Sequence, residues 1–133
     1  KNLYEYANKL CVNDHSCPNA ISQHAGIEAL KGPKDSIGKI KNEFKNRKDF
    51  VFKKLNELSN MTCFEPGGAF YAFPNISNSG LNGKTFSKVA LEEKGVALVS
   101  GTSFGDSAEA FVRISYANSM ENLEKAIYRL STI

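Results

Sequence analysis

Apolar side chains recur at three- and four-residue intervals through the first half of the chain and alternate with polar ones around Ile114, which predicts helices first and a small sheet afterwards. Leu3, Tyr6, Ala7 and Leu10 place a helix over roughly 2–11. A polar connection over 12–17 leads to Pro18, whose missing N–H suits the first turn of a second helix. That helix carries Ile21, Ala25, Ile27 and Ala29 and ends at Gly32-Pro33, where glycine favours a left-handed cap and proline cannot continue the turn. A long helix follows from near Lys34, with Ile37, Ile40, Phe44, Val51, Leu55 and Leu58 as its apolar stripe. Its expected length is about 25 residues, or about 38 Å.

The second half changes period. Residues 61–65 form a candidate strand, Pro66-Gly67-Gly68 a turn, and 69–73 an aromatic-rich strand. A helix over 84–94, built on Phe86, Val89 and Ala90, is capped by Gly95. A short apolar strand at 96–99, a loop over 100–105 and a strand at 111–117 come next. Asn118, with Glu121 three residues on, offers the cap of a final helix that buries Met120, Leu123, Ile127 and Leu130. The order β-β-α-β-β-α after a long helix predicts an α/β fold, a small sheet covered by helices. The apolar positions of the first two helices outnumber what two short helices hide, so they are expected to fold onto the long helix or bury against a second copy.

One residue interrupts the sheet pattern. In Phe111-Val112-Arg113-Ile114-Ser115-Tyr116-Ala117, alternation sends Val112, Ile114 and Tyr116 to one face as core and Arg113 to the other. A guanidinium on a rigid strand between apolar residues is placed to grip a carboxylate with two parallel hydrogen bonds. A surface or ion-paired arginine is the competing reading.

Composition narrows the classes. The chain has 133 residues, 41% hydrophobic and 23% charged, with a net charge of +3. That balance is globular and selects neither nucleic acid nor membrane as partner. The lysine-rich face of the long helix (Lys39, Lys41, Lys45, Lys48, Lys53, Lys54) is interleaved with Glu43, Asp49 and Glu57 and lacks base-stacking aromatics, so it reads as a solvated face. No apolar run approaches the roughly 18 residues of a spanning helix. Three cysteines, Cys11, Cys17 and Cys63, make no disulfide framework and point to a reducing, cytoplasmic compartment. Cys11, His15, Cys17 and His24 match no zinc spacing, so no metal site is expected. Gly101 and Gly105 lack the lysine of a phosphate loop. The start at Lys1-Asn2-Leu3, without methionine or signal segment, reads as a cut inside a longer protein.

Taken together, the motifs are more specific than any one of them. Pro66-Gly67-Gly68-Ala69-Phe70-Tyr71-Ala72-Phe73-Pro74, then 91–105, then 111–117 and the terminal helix closely resemble, in order and spacing, the C-terminal part of class I/II aminotransferases. These are fold-type I pyridoxal-phosphate enzymes, and the aspartate aminotransferase branch is the most similar. Residues 21–30 and Arg47-Lys48-Asp49 also match, so the resemblance covers nearly the whole chain. It implies a helical remnant of the large cofactor-binding domain at 1–32, a linking helix at 33–60 and the small α/β domain at 61–133. It implies that Arg113 binds the substrate's α-carboxylate and that Gly67, Gly68 and Tyr71 belong to a substrate-entrance turn. It implies pyridoxal 5'-phosphate, amino-acid and 2-oxo-acid substrates, and a homodimer for the full-length enzyme.

The family's Schiff-base lysine stands in a serine-lysine motif upstream of the region matching Lys1, and that motif is absent here. No residue of this chain is therefore assigned as catalytic or cofactor-binding, and the chain alone is expected to be inactive. A carbon–sulfur lyase of the same fold and a non-enzymatic module using the basic helix are the alternatives.

Overall fold

Helix α1 runs past its predicted end to span Asn2–His15, and α2 spans Ala20–Lys31. Pro18 does not open α2 as predicted. Asn19 caps it instead, its Oδ1 accepting from the N–H groups of Ile21 at 2.9 Å and Ser22 at 3.2 Å. Two orphan donors of the first turn need an acceptor, and a side-chain amide oxygen supplies one. Gly32 also departs from expectation, being extended (φ −70°, ψ 177°) rather than left-handed. Its N–H still donates to Glu28 O at 2.6 Å, and Lys34 adds a second cap, its Nζ donating to the carbonyl oxygens of Ala29 and Leu30.

The computed structural model describes residues 2–133 and divides the chain into two compact units, Lys1–Gly38 and Lys39–Ile133. In the first unit no residue of α1 or α2 is buried. Leu3, Tyr6, Leu10 and Ile21 remain open to solvent. Helix α3, Asp35–Asn56, is the long helix, 22 residues in length. Its stripe is buried only at the C-terminal end, at Val51 and Leu55, with Phe44 and Leu58 half-buried and Ile37 and Ile40 exposed.

The second unit has the expected α/β architecture. Strands β1 (Tyr71–Ala72), β2 (Val99–Ser100) and β3 (Val112–Ser115) form an antiparallel sheet in the order β1-β3-β2. Helices α4 (Gly83–Glu92) and α5 (Met120–Leu130) supply Phe86, Ala90, Leu123, Ile127 and Leu130 to the same core as Val112, Ile114, Tyr116 and the α3 residues. Gly95 is left-handed (φ 63°) as predicted and donates to Leu91 O at 3.2 Å, ending α4. Val96 N–H then reaches back to Ala90 O at 2.7 Å, which uses the donor that a strand at 96–99 needed and delays β2 to Val99. The cap of α5 is Ser119, not Asn118, with its Oγ accepting from Asn122 N–H. Glu121 pairs with Lys125 instead of closing a capping box.

The predicted strand at 61–65 is reduced to a single bridge between Thr62 and Asn75. The reason lies in Asn56 at the end of α3. Its Oδ1 accepts from Cys63 N–H at 2.9 Å and its Nδ2 donates to Cys63 O at 3.0 Å. One side-chain amide thus replaces a neighbouring strand and ties α3 to the sheet layer. Asn56→Ala is expected to lower stability by about 1–2 kcal/mol, because both Cys63 groups lose a partner in a partly buried place. Urea unfolding would show this as a lower midpoint at unchanged slope. Cys63 itself is in the core, and burial pushes its thiol above the ordinary value. It should therefore alkylate far more slowly than the exposed Cys11 and Cys17 at pH 8, a contrast that mass spectrometry after iodoacetamide would read and that denaturant should abolish.

Candidate functional site

Strand β3 presents its two faces as the alternation requires. Val112, Ile114 and Tyr116 are buried at 0%, 8% and 1% exposure, and Arg113 is half-buried on the opposite face. The β2 residue directly across from Arg113 is Val99, and Tyr71 of β1 faces Ser115, so Tyr71 and Val99 share the arginine's side of the sheet. The Arg113 guanidinium carbon lies 4.2 Å from the centroid of the Tyr71 ring and 4.7 Å from that of Phe104. Both distances are within the range of cation–π attraction. No ion pair among the described residues involves Arg113. The guanidinium is thus held by two rings rather than by a carboxylate of the chain.

Tyr71 is brought to Arg113, while Gly67 and Gly68 line a separate groove of about 280 Å³ with Lys41, Lys45, Lys48 and Tyr116. Arg113 is not among that groove's lining residues. A Cβ at either glycine would meet nothing within 4 Å, so no neighbour within the chain demands glycine there. The strained residue of the turn is Ala69, left-handed at φ 58°, whose carbonyl accepts from Tyr116 Oη at 3.0 Å. Lys48 fastens the same turn to α3 by donating to Glu65 Oε1 at 2.6 Å, and it also lies 3.2 Å from Asp49. Glu65 and Asp49 hold the Lys48 ammonium above its ordinary pKa.

That direction opposes what an amine-anchored cofactor requires, namely a lysine with a lowered pKa in a closed pocket. No described lysine is buried. Among the described residues, no lysine shows the burial and lowered pKa of such an anchor. Likewise, among the described residues no three of His, Cys, Asp and Glu come together to hold a metal ion. No helix of the described residues is long and apolar enough to cross a membrane.

Phe104 is the site residue that pattern reading missed. It lies in the 3-10 turn Gly101–Phe104, within the segment read as a loop. Its signal is an aromatic side chain beside Gly105, between β3, which carries Arg113, and β2, which pairs with it.

The sequence matches the model of a family described as "Aminotransferase class I and II" over residues 3–130. It is 39% identical over 127 residues to an aspartate aminotransferase of Pyrococcus abyssi, covering 94% of this chain and 32% of that protein. It is 38% identical over 120 residues to aromatic-amino-acid aminotransferase 2 of Thermococcus litoralis, covering 89% and 31%. The fold superposes on the crystal structure of an aromatic aminotransferase from Pyrococcus horikoshii with a TM-score of 0.87 and 38% identity, over 93% of this chain and 34% of that one. The chain spans about a third of the length of these relatives. Identity at this level over nearly every residue, joined to a superposable small sheet and long helix, shows that the chain belongs to the class I and II aminotransferase family.

Proposed function

We propose that the chain forms the C-terminal part of a pyridoxal-phosphate-dependent aminotransferase that moves an amino group from an amino acid to a 2-oxo acid, with aspartate aminotransferase-like activity. In this reading residues 1–32 complete the large domain, 33–60 link the domains and 61–133 are the small domain of a homodimeric enzyme. Arg113 receives the substrate's α-carboxylate. The observation that carries this reading is Arg113 itself, a half-buried strand arginine within cation–π distance of two rings and with no carboxylate partner among the described residues. A planar fork of donors held on a sheet fixes both the position and the plane of an incoming carboxylate, which orients the rest of the amino acid. Because no described lysine shows the burial of the cofactor's anchor, the amine and the cofactor contacts are assigned to the remainder of the protein.

The basic face of α3 gives the interaction-module alternative little support. Lys45 pairs with Asp49, Lys48 with Glu65, and Lys54 with Glu57, so much of its charge is neutralised in place. The test is an assay of the full-length protein with a panel of amino donors and 2-oxoglutarate, following glutamate formation. Glutamate formed from aspartate or an aromatic donor supports the proposal. Release of a thiol or sulfide and pyruvate from sulfur amino acids, without glutamate, supports the carbon–sulfur lyase instead. Absence of both activities overturns the enzyme reading.

A further inference from the structure

We infer that Phe104 is a positioning residue for Arg113, holding its guanidinium ready for an incoming carboxylate. The inference rests on the reading of Arg113 as the carboxylate clamp. A long side chain without an ion-pair partner has many rotamers open to it, and confining it before binding removes an ordering cost from the binding step. Arg113 has no ion pair among the described residues, yet two ring contacts confine it, at 4.2 Å to Tyr71 and 4.7 Å to Phe104. A ring attracts the flat face of a guanidinium, whereas the N–H donors radiate in the guanidinium plane. Neither ring takes the place of a carboxylate, and no carboxylate among the described residues pairs with the fork, so its donors remain for a two-oxygen acceptor.

The two jaws of this clamp have different origins. Tyr71 is a residue of β1, fixed by its pairing with Ser115 across the ladder. Phe104 comes from a turn and has to be braced by side chains. Phe73 meets it edge-on, with ring centroids 5.8 Å apart at 82°, and Phe73 stacks in turn on Phe111 at 5.3 Å and 8°. Behind Tyr71, Phe70 lies 4.4 Å away, and Phe44 of α3 lies 6.3 Å from Phe70. Arg113 thus sits within a continuous line of rings that runs from its own strand to α3. Phe104 is 51% exposed, so its ring is not retained for core packing. What it does cover is a cation that no carboxylate among the described residues neutralises.

The test uses steady-state kinetics of the full-length enzyme. Phe104→Leu keeps an apolar group and removes the π face. KM for the amino acid and for the 2-oxo acid should each rise about five- to tenfold, with kcat changed less than about twofold. Phe104→Tyr, which keeps the ring, should restore both KM values. In an Arg113→Lys background, Phe104→Leu should add less than about twofold, because the ring then has no fork to hold. Should Phe104→Leu fold poorly, Phe104→Met carries the same expectation. Wild-type KM values in the ringless variant, beside a strongly impaired Arg113→Lys, overturn the positioning role and leave the arginine's role standing. A fall in kcat alone, or effects that multiply with Arg113→Lys, overturn it as well. Normal kinetics for Arg113→Lys remove the arginine's role and this inference with it.

Discussion

Replacing Arg113 by lysine in the full-length protein is expected to lower kcat/KM by roughly 30- to 1000-fold, about 2–4 kcal/mol of transition-state binding. Lysine keeps the positive charge, so the loss isolates geometry. A single ammonium cannot offer two parallel donors to a carboxylate, and it lacks the planar group that the guanidinium places 4.2 Å from the Tyr71 centroid and 4.7 Å from that of Phe104. The deficit should be similar for every amino donor, because the α-carboxylate is common to all of them. Stability should change little. Arg113 has no ion pair among the described residues, and its side chain lies on the face of β3 away from the core. Parallel measurement of kinetics and thermal unfolding separates these expectations. Kinetics equal to the parent protein would end the assignment of Arg113 to substrate binding.

What was legible in the sequence follows from which interactions are periodic. The β3 faces were readable because alternation needs only Val112, Ile114 and Tyr116 at every second position. The helices were readable for the same reason, with Phe86 and Ala90 or Leu123, Ile127 and Leu130 at helical spacing and buried as expected. Boundaries were less readable, because they are decided by single side chains acting out of period. Asn56 takes both backbone groups of Cys63 and abolishes a strand. Asn19 caps the start of α2 in place of Pro18, and Lys34 joins Gly32 in satisfying its end. Val96 is spent on closing α4. The site divided in the same way. Arg113 stood out as a charge in an apolar strand, and Tyr71 was selected through resemblance. Phe104 did not stand out, because its partnership with Arg113 crosses from a turn to a strand and leaves no period in the sequence. Gly67 and Gly68 were selected through the resemblance as part of an entrance turn, and a Cβ at either meets nothing within 4 Å, whereas the glycine most tightly packed within the chain lies in a turn that no period marks.

That glycine is Gly101, and Gly101→Ala is expected to cost about 3 kcal/mol of stability. A Cβ at this position would overlap the Ala108 carbonyl oxygen, and it would stand 2.7 Å from Phe111 O and 3.0 Å from Phe111 Cβ. Two of these three are backbone oxygens, which cannot swing aside as the end of a long side chain does. The turn Gly101–Phe104 would have to lift away from the segment before β3. The hydrogen bond from Gly101 N–H to Phe111 O, 2.8 Å long, would stretch or break with it. Overpacking of this kind costs about 1–3 kcal/mol, and the lost buried hydrogen bond adds about 1 kcal/mol. Gly67→Ala is the matched control, since it removes the same backbone freedom where a Cβ meets nothing, and it should change stability by less than about 0.5 kcal/mol. Urea denaturation of both variants reads the difference directly. Equal midpoints for the two would show that the backbone at Gly101 has room to spare. Because the displaced turn carries Phe104, the folded fraction of Gly101→Ala should also show a raised KM. Stability and substrate binding would then fall together at a glycine that touches neither the substrate nor Arg113.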